Sequence, residues 1–256
     1  MRLLGKIAIV TGGAQGIGKV VAQKLAGEGA DIVIADIQEE PLGEAADEIR
    51  KIGRECLGIR TDVAEEKDVI AMVEKTLTHF GRIDILINNA GGRINTPSSL
   101  EETTQEQWNR VIAVNLTGTF LCCKAVLPHM KKNRSGKIVN VSSKAGRTAG
   151  LSTTPAYASA KAGVLGLTRQ LAFEMGPYGI NINAIAPGFT SSGPKWEKDV
   201  WSLVPQERKD IIINSSPLRR IAAPEEQANV IVFLCTEDAS FITGACIDSN
   251  GGAFMA

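Results

Sequence analysis

Residues 10–20 read VTGGAQGIGKV, and this stretch matches two different phosphate-binding loops. From Gly13 to Lys19 it fits the nucleoside triphosphate pattern G-x-x-x-x-G-K, which continues with Ser or Thr. Its glycines also fit the turn that opens a dinucleotide-binding βαβ unit. The rest of the chain decides between the two.

The triphosphate pattern fails at its last position. The hydroxyl that follows the lysine in such loops binds the Mg²⁺ ion that bridges the phosphates. Here the next residue is Val20, which offers no ligand. Lys19 then falls in the first turns of an amphipathic helix, where it is expected to be solvated.

The dinucleotide pattern asks for more residues, and the chain supplies them. Gly12, Gly16 and Gly18 follow the apolar run KIAIVT, and Ile17 lies between the last two. An acid is then needed at the end of the second strand, and Asp36 ends DIVIAD, 18 residues past Gly18. A carboxylate there can accept hydrogen bonds from the adenosine ribose and repels a 2′-phosphate.

Short β-branched runs alternate with helical patterns along the whole chain. We expect strands near 6–11, 31–36, 55–60, 83–88, 137–142, 180–186 and 244–248. Helical periodicity covers roughly 16–29, 39–52, 65–79, 104–131, 156–176 and 224–235. This pattern predicts an α/β fold: one Rossmann-type domain over residues 1–256, with a doubly wound parallel sheet of about seven strands and helices on both faces.

One segment, residues 189–217, departs from the alternation. It contains Pro194, Pro205 and Pro217 together with Trp196 and Trp201. Long connections in α/β proteins are often functional, so the segment is either a mobile substrate flap or a pair of surface helices with core tryptophans.

Composition excludes several classes of partner. Lys and Arg number 28, as do Asp and Glu, so no net positive charge favours nucleic acid. No apolar stretch approaches the roughly 18 residues of a membrane span, and the N-terminus lacks a signal-peptide cleavage site. These features predict a cytoplasmic protein.

Metal binding is also disfavoured. The five cysteines have no C-x-x-C spacing, and the two histidines are far apart in the chain. We therefore expect reduced, mostly buried thiols and no metal site.

Tyr157 and Lys161 lie four residues apart in YASAK, after Pro155, and so share one helix face. Lowering the pKa of a phenol from about 10 to about 7 takes roughly 4 kcal/mol. A positive charge about 5 Å away supplies on the order of 3 kcal/mol at an effective dielectric near 20. The pair can thus make a tyrosine an acid/base catalyst near neutral pH.

Further polar residues are predicted at the same sheet edge. Ser142 and Ser143 end one strand, Asn88 and Asn89 end another, and Asn115 lies in a helix between them. Ligands of open α/β sheets bind at the carboxyl ends of the strands, so these groups can converge beside a cofactor.

Together these motifs resemble the short-chain dehydrogenase/reductase family over essentially the whole chain. The resemblance implies that Tyr157 is the general acid/base, that Ser143 orients the substrate oxygen, and that Asn115 helps to anchor a proton relay. Lys161 would hold the cofactor ribose and lower the pKa of Tyr157. Ser142 remains a competitor for the serine role, because Ser143 and Tyr157 are one position farther apart than in many members.

The resemblance also implies a set of cofactor-binding residues. These are Gly12, Gln15, Gly16, Ile17, Gly18, Asp36, Asp62, Val63, Asn89, Ala90, Gly91, Tyr157, Lys161, Pro187, Gly188 and Thr190. Many NADP-using members carry a basic residue at the position of Gln15, so Gln15 and Asp36 both favour NAD.

The substrate is less determined. The family implies a small molecule with a secondary alcohol, such as a sugar, polyol or hydroxy compound, and a homotetramer. A 3-oxoacyl-[acyl-carrier-protein] reductase and a non-catalytic NAD-binding scaffold are the alternatives. Basic residues at 93, 144, 147 and 195 favour an anionic substrate, unless they are merely solvated.

Overall fold

Seven parallel strands form one sheet in the order β3-β2-β1-β4-β5-β6-β7. The computed structural model describes residues 1–94, 96–150 and 153–256, without the side chain of Lys195. The strands are β1 (Ile7–Thr11), β2 (Asp31–Asp36), β3 (Cys56–Arg60), β4 (Ile85–Asn88), β5 (Gly136–Val141), β6 (Ile180–Ile185) and β7 (Cys246–Ile247). The predicted doubly wound sheet of seven strands is confirmed.

Helices cover both faces of the sheet, because the central strands are apolar on both sides. They are α1 (Gly16–Gly27), α2 (Glu39–Lys51), α3 (Glu66–Phe80), α4 (Gln105–Ile112), α5 (Gly118–Asn133), α6 (Pro155–Met175), α7 (Pro194–Asp199), α8 (Gln206–Asn214) and α9 (Pro224–Cys235). All residues of β1 and β4 are buried between the two helical layers. The strand order reverses between these two strands, which opens a crevice at their carboxyl ends.

A π-helical turn, Ala113–Thr117, joins α4 and α5 into one helical run, Gln105–Asn133. This run has an 18-residue window with a mean hydropathy of 1.6, so it could cross a membrane by length and composition alone. No run of 18 consecutive apolar residues occurs within it, because polar residues such as Asn115 and Lys124 interrupt it. Half of the window is buried inside the fold, as in the core helix of a soluble protein.

The segment 189–217 forms α7, a 3₁₀ turn at Trp201–Leu203 and α8. Its two tryptophans stack on each other, with ring centroids 5.9 Å apart, and Phe189 packs 5.4 Å from Trp201. Both tryptophans are only half-buried, so neither belongs to the core. The segment instead forms one wall of the crevice.

Candidate active site

The glycine loop after β1 needs glycine for two separate reasons. Gly12 and Gly16 have φ angles of +62° and +57°, which side chains rarely adopt. At Gly18, a Cβ would lie 2.1 Å from the carbonyl oxygen of Gly12. Gly18 therefore lets α1 pack against the loop. It lies behind the crevice and is not one of the residues that line it.

The N-terminus of α1 opens into the crevice. Gln15 precedes the helix without a side-chain capping hydrogen bond, and no acidic residue lies in the first turn. Free N–H groups and the positive end of the helix dipole suit an anion such as pyrophosphate.

Asp36 lies at the end of β2 and is 7% exposed. One carboxylate oxygen accepts from the Ala14 N–H at 3.1 Å, and the other accepts from the Gln38 N–H, also at 3.1 Å. Each oxygen keeps a lone pair for a further donor. Close by, Lys19 lines the crevice while its ammonium is bound to Glu48 at 2.7 Å.

Asp62 and Val63 follow β3 and line the same crevice. One Asp62 oxygen accepts from the Ala64 N–H at 3.0 Å, and the other pairs with Arg110 at 3.2 Å. The Arg110 partnership joins α4 to the end of β3 and has no signal in the sequence, because 48 positions separate the two residues.

Asn89 binds the glycine loop rather than pointing into the crevice alone. Its amide donates to the carbonyl oxygens of Thr11 at 3.1 Å and Gly12 at 2.9 Å. The buried Thr11 hydroxyl accepts from the N–H groups of Asn89 and Ala90, both at 3.1 Å. Thr11 is a positioning residue that the sequence reasoning missed, although it directly precedes the glycines.

Asn115 lies in the π-helical turn and is fully buried. Its amide oxygen accepts from Gly92 N–H at 3.0 Å, and its amide nitrogen donates to the carbonyls of Gly92 and Val111, each at 2.9 Å. A Cβ on Gly91 would come within 2.4 Å of the Asn115 amide oxygen, so the chain passes it closely. Asn115 is thus behind the wall of the crevice and fixes the loop that forms it.

The two serines after β5 have different environments. The Ser142 hydroxyl is buried and donates to the Lys161 carbonyl at 2.8 Å. Ser143 lines the crevice, where its hydroxyl accepts from the Ala145 N–H at 3.1 Å and is hydrogen-bonded to the Tyr157 side chain. The geometry therefore places Ser143, not Ser142, beside Tyr157.

Tyr157 and Lys161 share one face of α6, as predicted. The Lys161 ammonium lies 5.7 Å from the centre of the Tyr157 ring and donates to the Val141 carbonyl at 2.8 Å. Burial raises the pKa of the Tyr157 phenol, and the Ser143 hydrogen bond and the charge of Arg93 offset this only partly. Burial also lowers the pKa of Lys161, to about 8.

The expected lowering of the Tyr157 pKa by Lys161 is therefore not found in the protein alone. The spacing correctly predicted that the Lys161 charge lies near Tyr157. Desolvation of the phenol nevertheless raises its pKa by more than its stabilising partners lower it.

Helix α6 begins at a buried cap, since the Thr154 hydroxyl accepts from the Tyr157 N–H at 3.3 Å.

The loop after β6 closes the crevice on its other side. The Pro187 carbonyl accepts from the Lys144 N–H at 2.9 Å, and the Gly188 N–H donates to Ser249 at 3.1 Å. A Cβ on Gly188 would lie 2.9 Å from the Asn250 Cα, so only glycine fits there. The Thr190 hydroxyl donates to the Gly188 carbonyl at 3.2 Å.

The crevice has a volume of ≈ 1510 Å³ and gathers the predicted residues into one site. Among them it is lined by Gly12, Gln15, Gly16, Ile17, Asp36, Asp62, Val63, Asn89, Ala90, Gly91, Ser143, Tyr157, Lys161, Pro187, Gly188 and Thr190. A glycine turn, an open helix N-terminus and a strand-end carboxylate are what a dinucleotide needs, so the residues present fit that group.

The four basic residues noted in the sequence separate into different environments. Arg147 pairs with Asp248 at 3.1 Å, and its guanidinium lies 4.8 Å from the centre of the Phe254 ring. It is therefore a structural residue. Arg93 and Lys144 line the crevice, and the side chain of Lys195 lies outside the described part of the structure.

Comparison with known proteins finds relatives over the full length. The sequence profile of the family described as short chain dehydrogenase matches residues 6–202. The (2S)-[(R)-hydroxy(phenyl)methyl]succinyl-CoA dehydrogenase subunit BbsD of Thauera aromatica is 39% identical over 98% of both chains. A 3-oxoacyl-[acyl-carrier-protein] reductase FabG of Thermotoga maritima is 38% identical over 98% of this chain and 99% of that one. The crystal structure of an NAD⁺-bound xylitol dehydrogenase superposes with a TM-score of 0.90 at 34% identity, covering 98% of this chain and all of the other.

Proposed function

Because the chain belongs to the short-chain dehydrogenase family, we propose that it is an NAD(H)-dependent oxidoreductase that interconverts a secondary alcohol and its ketone. The observation that carries the proposal is the meeting of Ser143, Tyr157 and Lys161 in a crevice whose other end is a glycine cradle. Relatives named as a (2S)-[(R)-hydroxy(phenyl)methyl]succinyl-CoA dehydrogenase subunit and as a xylitol dehydrogenase support this reaction class.

A bound nicotinamide supplies or accepts the hydride at the carbinol carbon. Tyr157 exchanges the proton with the substrate oxygen, and Ser143 donates a hydrogen bond to the same oxygen. The buried Lys161 ammonium, 5.7 Å from the Tyr157 ring, supplies positive charge beneath the reacting groups and has donors left for a ribose hydroxyl.

Tyr157 keeps its proton at neutral pH, since burial raises its pKa. This state suits donation to a ketone oxygen, and alcohol oxidation should need a higher pH. Both polar atoms of the Asn115 side chain are engaged by Gly92 and Val111, so this side chain holds the loop after β4 beside the reacting groups.

Two features support NAD rather than NADP. Asp36 ends β2 with a carboxylate that would repel a 2′-phosphate, and position 15 carries an uncharged Gln. The nearby Lys19 is neutralised by Glu48 at 2.7 Å. A 2′-phosphate near Asp36 would therefore face a carboxylate, and the Lys19 ammonium, already paired with Glu48, would not neutralise it.

A screen for NAD⁺ reduction over polyols, sugars, hydroxy acids and cyclic alcohols tests the reaction. The variant Tyr157→Phe should abolish turnover, whereas Tyr178→Phe should keep it. Tyr178 is the other tyrosine of the chain, and its ring packs under Lys131, 4.4 Å from the ammonium. A non-catalytic scaffold would bind NADH and turn over none of the panel.

The second candidate is a 3-oxoacyl-[acyl-carrier-protein] reductase, because a relative of that name is 38% identical over nearly the full chain. An acetoacetyl thioester assayed with NADH and NADPH separates the two functions. Rapid reduction of the thioester with NADPH, and slow oxidation of every simple alcohol, would favour the reductase.

We also propose that the protein is a cytoplasmic homotetramer. All five cysteines are free thiols, as expected in a reducing compartment. The long helices expose Phe120 on α5 and Phe173 on α6, which are 44% and 83% accessible. Such faces are suited to pairing between subunits, and analytical ultracentrifugation would test the assembly.

A further inference from the structure

The loop after β4 is held in a strained conformation at the crevice. Ile94 has a φ of +51°, which is unfavourable for a β-branched residue. The Asn115 side chain fixes the root of the loop at Gly92, and the Thr96 hydroxyl donates to the Arg93 carbonyl. Strain that the surrounding contacts maintain commonly marks a functional loop.

Arg93 lies at the centre of this loop and lines the crevice. Its positive charge is one of the influences that lower the pKa of Tyr157, so the guanidinium acts at the reacting end of the crevice. Lys144, one residue after Ser143, adds a second cation to the lining. This end of the site therefore favours an anion close to the substrate oxygen.

Acidic residues also line the crevice, and they lie on other elements. Asp199 is the last residue of α7, and Glu225 is the second residue of α9. Arg93, by contrast, acts on the Tyr157 phenol, because its charge lowers the pKa of that group.

The same crevice has an apolar wall. Phe189 and Trp196 line it, with ring centroids 6.1 Å apart, and Trp201 packs against both from behind. Val200 and Ile212 extend this wall. An aromatic and aliphatic surface is suited to a ring or an alkyl chain, and contributes little to the binding of a small, fully hydroxylated molecule.

We propose that Arg93 binds a carboxylate of the substrate, and that the substrate is a secondary alcohol or ketone that carries this carboxylate on an apolar ring or chain packed against Phe189 and Trp196. This assignment rests on the proposed oxidoreductase function. The carbinol loses a hydride and a proton on oxidation, and the carboxylate takes no part in the bond changes. Arg93 is a specificity-determining residue because its planar fork matches a carboxylate with two hydrogen bonds.

Binding of non-reacting probes tests the assignment without turnover. We expect the protein with NADH bound to take up cyclohexanecarboxylate at least 10-fold more tightly than cyclohexanecarboxamide, by calorimetry. Arg93→Gln should reduce this preference by about 10- to 100-fold, and Arg93→Lys should retain part of it. Arg208→Gln removes the same charge from an exposed position of α8 outside the crevice lining and should leave the preference unchanged.

The aromatic wall has its own test. Trp196→Ala should weaken the binding of cyclohexanecarboxylate by roughly 10-fold. It should weaken the binding of propanoate much less, since only the cyclohexane ring reaches the aromatic wall. Equal affinity for acid and amide in the wild type, or equal loss of both in Arg93→Gln, overturns the assignment.

Turnover assays distinguish a failure of the Arg93 assignment from a failure of the proposed oxidoreductase function. Acid and amide pairs of 3-hydroxy-3-phenylpropanoate and 4-hydroxycyclohexanecarboxylate should be oxidised with a preference for the acid. Oxidation of alcohols without any such preference refutes the role of Arg93 and leaves the oxidoreductase standing. A carboxylate preference in binding, without oxidation of any alcohol, supports the anion site and counts against the oxidoreductase.

The pH profile distinguishes Arg93 from a residue that only shapes the loop. Removing its positive charge in Arg93→Gln should move the alkaline rise in oxidation of a neutral alcohol to higher pH, because the charge lowers the pKa of Tyr157. Arg208→Gln should leave the midpoint of this rise in place. An unchanged midpoint in Arg93→Gln would contradict the placement of the guanidinium beside the reacting oxygen.

Discussion

Asn115 binds Gly92 twice, with its amide oxygen 3.0 Å from the Gly92 nitrogen and its amide nitrogen 2.9 Å from the Gly92 oxygen. A third hydrogen bond, to the Val111 carbonyl, fixes the amide within the π-helical turn. One side chain thereby joins the long helix to the loop that carries Arg93. The position of the crevice wall depends on this joint.

Asn115→Ala should lower the free energy of unfolding by about 2–4 kcal/mol, because it removes two hydrogen bonds to the part-buried Gly92 and one to the buried Val111 carbonyl. Turnover should fall as well, since the loop loses its anchor. Urea denaturation and kcat/KM measure the two effects. Asn109→Ala, at an exposed position of the same helix, should change stability by less than about 0.5 kcal/mol. A variant at 115 with the stability of the wild type would contradict this role.

The two neighbouring serines should respond in opposite ways to alanine. Ser142→Ala removes the hydrogen bond to the Lys161 carbonyl and should cost about 1 kcal/mol of stability, with most of the turnover kept. Ser143→Ala should lower kcat by roughly 10²–10³-fold, the effect of losing one donor to a reacting oxygen, with little change in stability. Loss of turnover in Ser142→Ala at unchanged stability would reverse the assignment.

Lys161 should lower the free energy of unfolding, although the proposed reaction requires it. Its folded pKa of about 8 lies below the ordinary 10.5, so between these values the unfolded chain binds more protons. The charged form is therefore disfavoured in the fold below pH 8, and stability recovers as the pH rises from about 8 to 10.5.

Lys161→Met should accordingly raise the free energy of unfolding at pH 7 by up to about 3 kcal/mol, less the lost hydrogen bond to Val141. The gain should shrink at pH 9.5, and turnover should disappear. Denaturation at the two pH values measures this, with the exposed Lys132→Met as a control that changes little at either. A gain that grows with pH would mean that the buried ammonium is stabilised rather than desolvated.

The sheet and the crevice could be predicted because they follow from local patterns. Apolar runs such as KIAIVT can be satisfied only as buried parallel strands, and the carboxyl ends of such strands share one edge. Asp36, Asn89 and Ser143 each end or follow one of these runs, so their meeting could be inferred from the sequence.

Other features depend on partners that the sequence does not bring together. Arg147 had the appearance of a substrate-binding cation, but it pairs with Asp248, 101 positions away. The choice between Ser142 and Ser143 depends on the residue at which β5 ends. The spacing of Tyr157 and Lys161 predicted their proximity and could not predict the desolvation that raises the pKa of the phenol.

The discrimination between NAD and NADP should depend on two acidic residues. Asp36→Ala removes the carboxylate and, with it, the hydrogen bonds to the Ala14 and Gln38 N–H groups. Both cofactors should therefore bind more weakly, and the informative quantity is the ratio of their kcat/KM values. We expect this ratio to shift toward NADP by about 10- to 100-fold, from the removal of a like charge about 5 Å from a phosphate.

Glu48 should contribute the rest of the discrimination between NAD and NADP, because it holds the Lys19 ammonium at 2.7 Å. Gln23 is a further partner of Glu48, at 2.8 Å. Glu48→Gln alone should change the ratio little while Asp36 is present. In the double variant Asp36→Ala/Glu48→Gln, Lys19 is free to pair with a 2′-phosphate, so the shift should exceed that of Asp36→Ala. Adding Lys19→Met should remove this excess; if the excess persists, Lys19 is not its source. A wild type that prefers NADP at equal concentration would refute the assignment of both acids.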